Sequence, residues 1–463
     1  MSLFRCFTLS FLFSNLLGFG QSIPTLRISK NHRFLQTQSG EPFFWLGDTG
    51  WLLFTKLTRE EAIQYLDDRK AKGFNVIQVM GLHTLKVVNR YGDSALVQQQ
   101  VAHPKVTQGT SFQNAEEYDY WDHINFVIDE AAKRGIFIGF VPVWGSNIKS
   151  GKITPQQVQA YAAFLATRYG NKPNIIWLNG GDVRGGEQLL VWNTLGQTLR
   201  QFDSKHLITF HPRGRYSSLD WFHQEPWLDF NLFQSGHQTY QQDTLKSEKR
   251  HYGEDNWKYV DEAYGLTPIK PILDGEPSYE GIPHGLHDTS QPRWTDADLR
   301  RYAYWSVFAG AFGFTYGHNA VTQFFRNEAD EKRSYGPLER WDTALNAPGA
   351  SQLIYLKRLV EQDPSYFDRV PAQALILNQG QRYEYFAACQ SKQFIYVYTF
   401  TGRPIHLQLG SLTGTSVSAY WYNPRWGEKT AIGTFTNQST KKFTPPGTPQ
   451  FGNDWVLVLT SGK

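Results

Sequence analysis

The chain has 463 residues, of which 19% are charged and 15% aromatic, with a formal net charge of +4. That length holds two or three domains and a large core, and the near balance of scattered acids and bases excludes a nucleic-acid footprint. Fifteen Trp and 24 Tyr in so lightly charged a chain suit a site that stacks on sugar rings, whose C–H faces are apolar and whose rims carry hydroxyls.

The first twenty residues, "MSLFRCFTLSFLFSNLLGFG", carry a basic Arg5, an apolar run from Phe7 to Leu17, and small residues at Gly18 and Gly20. This pattern reads as a secretory signal peptide (1–20) and implies a secreted or periplasmic protein. The run is short for a membrane span and nothing like it recurs, so no membrane insertion is expected. A lipoprotein would place a Cys just after the apolar run, whereas Cys6 precedes it. Cleavage of the leader would leave Cys389 alone, with no intrachain disulfide to form. The 13 His are dispersed and none joins a cluster with metal-ligand spacing, so neither metal nor other cofactor is expected.

From about 35 to 363, short apolar runs alternate with stretches of helical period, the pattern of a parallel sheet with crossover helices. Eight runs read as strands: "PFFWLGD" (42–48), "FNVIQVMGL" (74–82), "IFIGFVPVWG" (136–145), "NIIWLNGGD" (174–182), "LITFHPRG" (207–214), "FNLFQSGH" (230–237), "KPILDGEPS" (270–278) and "GFTYGHN" (313–319). Eight strands close an α/β barrel, so the fold class is a (β/α)8 TIM barrel over 21–363. Between the strands, "TREEAIQYLDDRKAKG" opens on a Thr58 cap with Glu60 and Glu61 in its first turn and stops at Gly73. "WDHINFVIDEAAKRG" stops likewise at Gly135, while "TPQQVQAYAAFLATRYG" and "TDADLRRYAYWSVFAGAF" open on Thr154 and Thr295. Segments 83–120 and 321–348 are long for connections; they follow strands two and eight and belong at the carboxyl face, where long loops meet substrate. Beyond 364, short alternating runs separated by Gly, Pro, Asn and Ser predict an antiparallel β-sandwich (364–463). Its "YWYNPRWGE" (420–428) reads as a packed aromatic cluster at a strand end.

Three strand ends concentrate polar chemistry. "FFWLGDTGW" brings out Asp48 beside Trp45 and Trp51, "NIIWLNGGD" brings out Asn179 and Asp182 through a Gly-Gly turn, and "PILDGEPSYEG" delivers Asp274 and Glu276 into a turn. Parallel strands end on one face, so a carboxylate after strand four and another after strand seven share one mouth. Such a pair meets the demand of glycosidic cleavage: one acid protonates the leaving oxygen, and one carboxylate attacks the anomeric carbon or activates water. A separation of about 5 to 5.5 Å would make the mechanism retaining.

The run of motifs "FFWLGDTGW", "NIIWLNGGD", "ILDGEPSYEG" and "GFTYGHNAV", followed by a β-sandwich, resembles glycoside hydrolase family 140, the apiosidase-like family with a collagen-binding-type C-terminal domain. The resemblance spans residue 26 to the end of the chain. It implies Asp182 as general acid/base and Glu276 as nucleophile. For substrate it implies a pectic polysaccharide or oligosaccharide, specifically apiose-linked rhamnogalacturonan II. Most members of the wider clan carry Asn-Glu after strand four where this chain has Gly181-Asp182; a shorter acid needs a backbone closer to the substrate, which glycines permit.

Each residue also has a plainer reading. Asp182 is well suited to cap a helix beginning near Gly185, and Asp274, on the same side of the strand as Glu276, is expected to be a structural partner rather than a second nucleophile. Asp48 is either a hydroxyl contact or a hydrogen-bond partner of its own turn. His211, His237 and His318 lie just past strands five, six and eight, and at least one is expected to hold a sugar hydroxyl or position Glu276. Trp51, Trp144, Asn179, Tyr279 and Tyr316 complete the candidate substrate contacts; His83 is weaker, and Trp305 lies inside a helix and reads as core. Two rival readings stand beside a retaining apiosidase-type enzyme. One is another glycosidase of the same clan, of galactosidase, arabinofuranosidase or mannanase type. The other is a non-catalytic carbohydrate-binding or matrix-adhesion protein.

Overall fold

All eight strand expectations coincide with barrel strands. The computed structural model of the chain describes residues 23–244, 251–328 and 331–462; the signal peptide expected at 1–20 lies outside these. The strands are β1 (Trp45–Thr49), β2 (Val76–Leu82), β3 (Phe137–Val143), β4 (Ile175–Val183), β5 (Ile208–Pro212), β6 (Asn231–Gln234), β7 (Ile272–Asp274) and β8 (Gly313–Tyr316). They run parallel in the order β5-β4-β3-β2-β1-β8-β7-β6, with the two-residue strand Tyr216–Ser217 added antiparallel to β6. Between β5 and β6 the ring is joined by Asp229 N donating to Ile208 O at 2.8 Å and Thr209 Oγ1 to Phe230 O at 2.6 Å.

The crossovers are α1 (Arg59–Ala71), α2 (Tyr120–Lys133), α3 (Pro155–Tyr169), α4 (Leu189–Phe202), α5 (Leu219–Phe222), α6 (Asn256–Tyr264), α7 (Asp296–Phe308) and α8 (Pro348–Glu361). Thr58 and Thr154 cap α1 and α3 in reciprocal boxes with Glu61 and Gln157, satisfying amides that a helix start leaves without partners. The fifth crossover is a single turn, which is why no helical period announces it. Inside the barrel, Trp45 packs edge-on to Phe230 and Phe312, and Gln78 Nε2 donates to Gly275 O at 2.8 Å and Thr315 Oγ1 at 2.9 Å. Gln78 thereby ties β2 to the residue just before Glu276.

Residues after 370 build β9 (Phe386–Gln390), β10 (Phe394–Thr399), β11 (Ile405–Gln408), β12 (Ser416–Tyr422), β13 (Lys429–Thr436), β14 (Thr440–Phe443) and β15 (Trp455–Ser461). A sheet of order β9-β10-β15-β12-β13, extended by the short edge Val370–Pro371, is accompanied by the separate pair β11-β14. Alternation along β10 splits two cores: Ile395 and Val397 join Leu457 and Leu459 in the domain's own interior, whereas Phe394, Tyr396 and Tyr398 pack into the barrel's cluster. Tyr304 of α7 stacks on Tyr398 with centroids 4.7 Å apart, and Trp257 of α6 on Tyr385 at 4.1 Å. Buried Arg300 of α7 grips buried Asp454 at 2.8 and 3.0 Å. In "YWYNPRWGE", Trp421 and Tyr422 are packed as expected, but Trp426 is 62% exposed. Cys389 is free and buried. No helix among the described residues is long and apolar enough to cross a membrane.

Candidate active site

At the end of β4 the pairing with β5 breaks register between Gly180 and Val183, a bulge that re-aims the chain. Gly180 and Gly181 take φ of 94° and 118°. A Cβ on Gly181 would stand 2.5 Å from Trp144 Cε3, and one on Gly180 would stand 2.5 Å from His211 O. Both positions thus require glycine by conformation and by contact. Asp182 follows in the left-handed region, at φ 51°. The helix expected near Gly185 begins at Leu189, with Gln188 at its cap, so capping does not explain Asp182.

Glu276 leaves the end of β7 into the same mouth and is 6% exposed. His237 Nε2 lies 3.2 Å from its Oε1, and His211 Nε2 lies 3.3 Å from its Oε2. Burial opposes ionisation of Glu276, but the hydrogen bonds and positive field of His211 and His237 outweigh it and bring the carboxyl down to about 2. Asp182 is open to the mouth yet crowded by protein, and this desolvation, reinforced by the negative Glu276, pushes its carboxyl up to about 6. Two carboxyls in one cleft are thus driven apart in acidity, one toward the acid form and one toward the carboxylate.

The cleft has two adjoining lobes. One, of about 600 Å³, is lined by Glu276, Trp51, Trp144, Tyr279 and His83. The other, of about 560 Å³, lacks Glu276 and is lined by Lys149, Arg184, Arg213, Arg215 and His287. Asp182, Gln234, His237, Leu286 and Tyr335 border both. Trp51 Nε1 donates to Tyr279 Oη at 3.0 Å, its ring lies 5.2 Å from that of Trp144, and Tyr279 packs against His237 at 4.7 Å. His211, fully buried beneath Trp51 and Trp144, reaches Glu276 but lines neither lobe.

Four of the expected substrate contacts are placed away from the cleft and bind protein. Asp48 is fully buried, accepts Tyr65 Oη at 2.6 Å and lies 3.4 Å from Arg69 Nε; burial raises its pKa against the pull of Arg69. Asn179 Nδ2 donates to Trp192 O at 2.8 Å, and its Oδ1 accepts Gly180 N at 2.9 Å. Tyr316 Oη donates to Glu280 at 2.6 Å. His318 Nδ1 accepts Ala320 N at 3.2 Å as a cap, and burial lowers its pKa to about 3. Asp274 is the structural partner expected, accepting from Ser235 at 2.9 Å and Asn256 at 3.0 Å. Trp305 is core. The residues that sequence reasoning missed are Gln234, Arg213 and Tyr335; only the length of segment 321–348 pointed toward the last. Among the described residues, no group of three or more His, Cys, Asp or Glu is arranged to hold a metal ion.

Comparisons with known proteins agree with this architecture. Residues 29–367 match the family model "Apiosidase-like, catalytic domain", and residues 370–460 match "Putative collagen-binding domain of a collagenase". A solved structure titled "Glycoside hydrolase" is 43% identical with a TM-score of 0.88, covering 95% of this chain and 97% of that one. A glycoside hydrolase family 5 structure from Bacteroides vulgatus ATCC 8482 is 40% identical with a TM-score of 0.88, covering 94% and 93%. No curated protein matches.

Proposed function

Because the chain belongs to the apiosidase-like catalytic-domain family of glycoside hydrolases, we propose that it is a secreted, retaining enzyme of glycoside hydrolase family 140 that cleaves pectic glycans. The reading at its finest is an endo-apiosidase acting on rhamnogalacturonan II. The observation that carries the two-carboxylate chemistry is the pair Asp182 and Glu276, one held up to about 6 and the other down to about 2 within one cleft; the family match supports apiose-linked pectin as the substrate.

In the first step, the protonated Asp182 donates its proton to the glycosidic oxygen as the Glu276 carboxylate attacks the anomeric carbon, breaking the C–O bond and forming a glycosyl ester. Esterification removes the negative charge that reinforced desolvation in raising the Asp182 pKa, which therefore falls. Asp182, now a carboxylate, takes a proton from water as that water attacks the anomeric carbon, breaking its bond to the Glu276 oxygen and freeing the carboxylate. Trp51, Trp144 and Tyr279 supply apolar faces for a sugar ring beside Glu276. The acid protonates the leaving oxygen, so the lobe bordered by Asp182 but not Glu276 takes the leaving group. Although Lys149 pairs with Glu187 and Arg215 with Asp243, basic residues outnumber acids in its lining, which suits an acidic polymer such as pectin. Residues 1–20 support export by their leader-like composition.

The test is product release from rhamnogalacturonan II and from other pectins and hemicelluloses, wild type beside Glu276→Gln. Oligosaccharide from rhamnogalacturonan II with wild type alone supports the full reading. Release from a different polymer replaces the substrate, and no release from any polymer overturns the hydrolase reading.

A further inference from the structure

We propose that Gln234 and Tyr335, which both border the junction of the two lobes, are a pair of substrate contacts that hydrogen-bond the hydroxyls of the sugar at the cleavage point. This rests on the hydrolase reading and assigns residues that the two-carboxylate mechanism leaves out.

Gln234 ends β6 on the barrel side of the cleft. It is 3% exposed and borders both lobes, and its Oε1 meets no donor among the described residues. A buried acceptor without a donor destabilises a fold, so natural proteins keep few of them, and one on a residue that walls a cleft points to a ligand. Asp182 and His237 stand beside it at the same junction.

Tyr335 comes from the long segment after β8. Its φ of 58° is in the left-handed region, which a tyrosine seldom takes, and three side chains fix three consecutive carbonyls there. Gln323 Nε2 donates to Ser334 O at 2.8 Å, Asn319 Nδ2 to Tyr335 O at 2.9 Å, and Arg293 Nη2 to Gly336 O at 2.8 Å. Asn319 belongs to the "GHNAV" motif, and this clamp gives it a use. Backbone strain held by so many partners is characteristic of functional sites. The residue is left 39% exposed and lines both lobes; partial burial raises its phenol pKa, and the negative Glu276 and Asp182 add to that rise. An amide offers both donor and acceptor and a phenol the same, so the pair matches the vicinal hydroxyls of a sugar.

The experiment compares wild type, Gln234→Leu and Tyr335→Phe on the same glycan panel, with kcat, KM and thermal midpoint measured for each. Gln234→Leu is expected to keep or raise the thermal midpoint, because it removes an acceptor the fold leaves unpaired, while kcat/KM falls on the order of tenfold or more. Tyr335→Phe is expected to fold as wild type and lose on the order of tenfold in kcat. Variants within about twofold of wild type on an actively cleaved glycan overturn the pair. A Gln234→Leu protein that loses activity together with its thermal midpoint assigns Gln234 to structure and overturns its role. A wild-type protein inert on every glycan overturns the hydrolase reading, and the pair with it.

Discussion

His237 Nε2 and Glu276 Oε1 stand 3.2 Å apart at the ends of neighbouring barrel strands, so one imidazole both orients the carboxylate and keeps it charged. His237→Ala is expected to raise the Glu276 pKa from about 2, moving the acid limb of kcat/KM to higher pH. The accompanying loss of kcat is on the order of ten- to a hundredfold. The depressed pKa of Glu276 also stabilises the fold above its ordinary value of 4.5, a contribution lost as pH falls toward 2. Denaturant titrations between pH 5 and 2 should therefore show a shallower loss for His237→Ala than for wild type; identical slopes would refute the coupling.

Asp182 must carry a proton to act as acid, so kcat/KM is expected to decline as pH rises past about 6. Glu276→Gln removes the adjacent negative charge, and the Asp182 pKa should fall, as carboxyl NMR titration would read directly. Asp182→Ala should spare substrates with good leaving groups and fail on the others. Equal loss on both would remove Asp182 from the acid role.

Glu280 is a buried carboxyl that accepts from Tyr316 at 2.6 Å and Gly349 N at 3.0 Å, and burial outweighs these bonds to push its pKa up to about 7. The folded state then binds more protons than the unfolded between the ordinary 4.5 and about 7, so this group makes stability fall as pH rises through that window. Glu280→Gln should flatten that decline and raise the thermal midpoint at pH 8 relative to pH 5. An unchanged pH dependence would count against it.

Gly181→Ala places a methyl group 2.5 Å from Trp144 Cε3, on a backbone with φ 118°. A cost of about 1 to 3 kcal/mol in stability is expected. Activity should fall further than stability explains, because the displaced segment carries Asp182. Urea unfolding beside kcat would separate the two effects.

Asp454→Ala leaves buried Arg300 without its bidentate partner, and breaking such a pair costs about 3 kcal/mol or more. Replacing both by apolar residues should recover little of that loss, because Asp296 and Gln352 would lose Arg300 while Tyr398 and Arg425 would lose Asp454. A single variant as stable as wild type would show the pair to be dispensable.

The barrel was legible because its eight strands are apolar runs set off by capped helices, and Thr58, Thr154 and Gly135 punctuate them clearly. What the sequence hides is side-chain direction at strand ends. Asp48 and Asn179 turn outward to Tyr65 of α1 and Trp192 of α4, whereas Asp182 turns inward only because two glycines permit a bulge. His211 and His237 look alike in sequence, yet only His237 meets the cleft. Gln234 ends an ordinary apolar strand, and Tyr335 sits in a segment with no period at all. Their importance comes from contacts between distant segments, which no local pattern records.

Strand β10 spends alternate residues on two interiors, one in its own domain and one in the barrel. A domain whose central strand is covered on both faces cannot swing away or detach from the barrel without first exposing Tyr396 and Tyr398 to water. The C-terminal domain is in this sense a wall of the enzyme rather than a passenger, and separating it from the barrel would leave each half with an unsatisfied apolar surface.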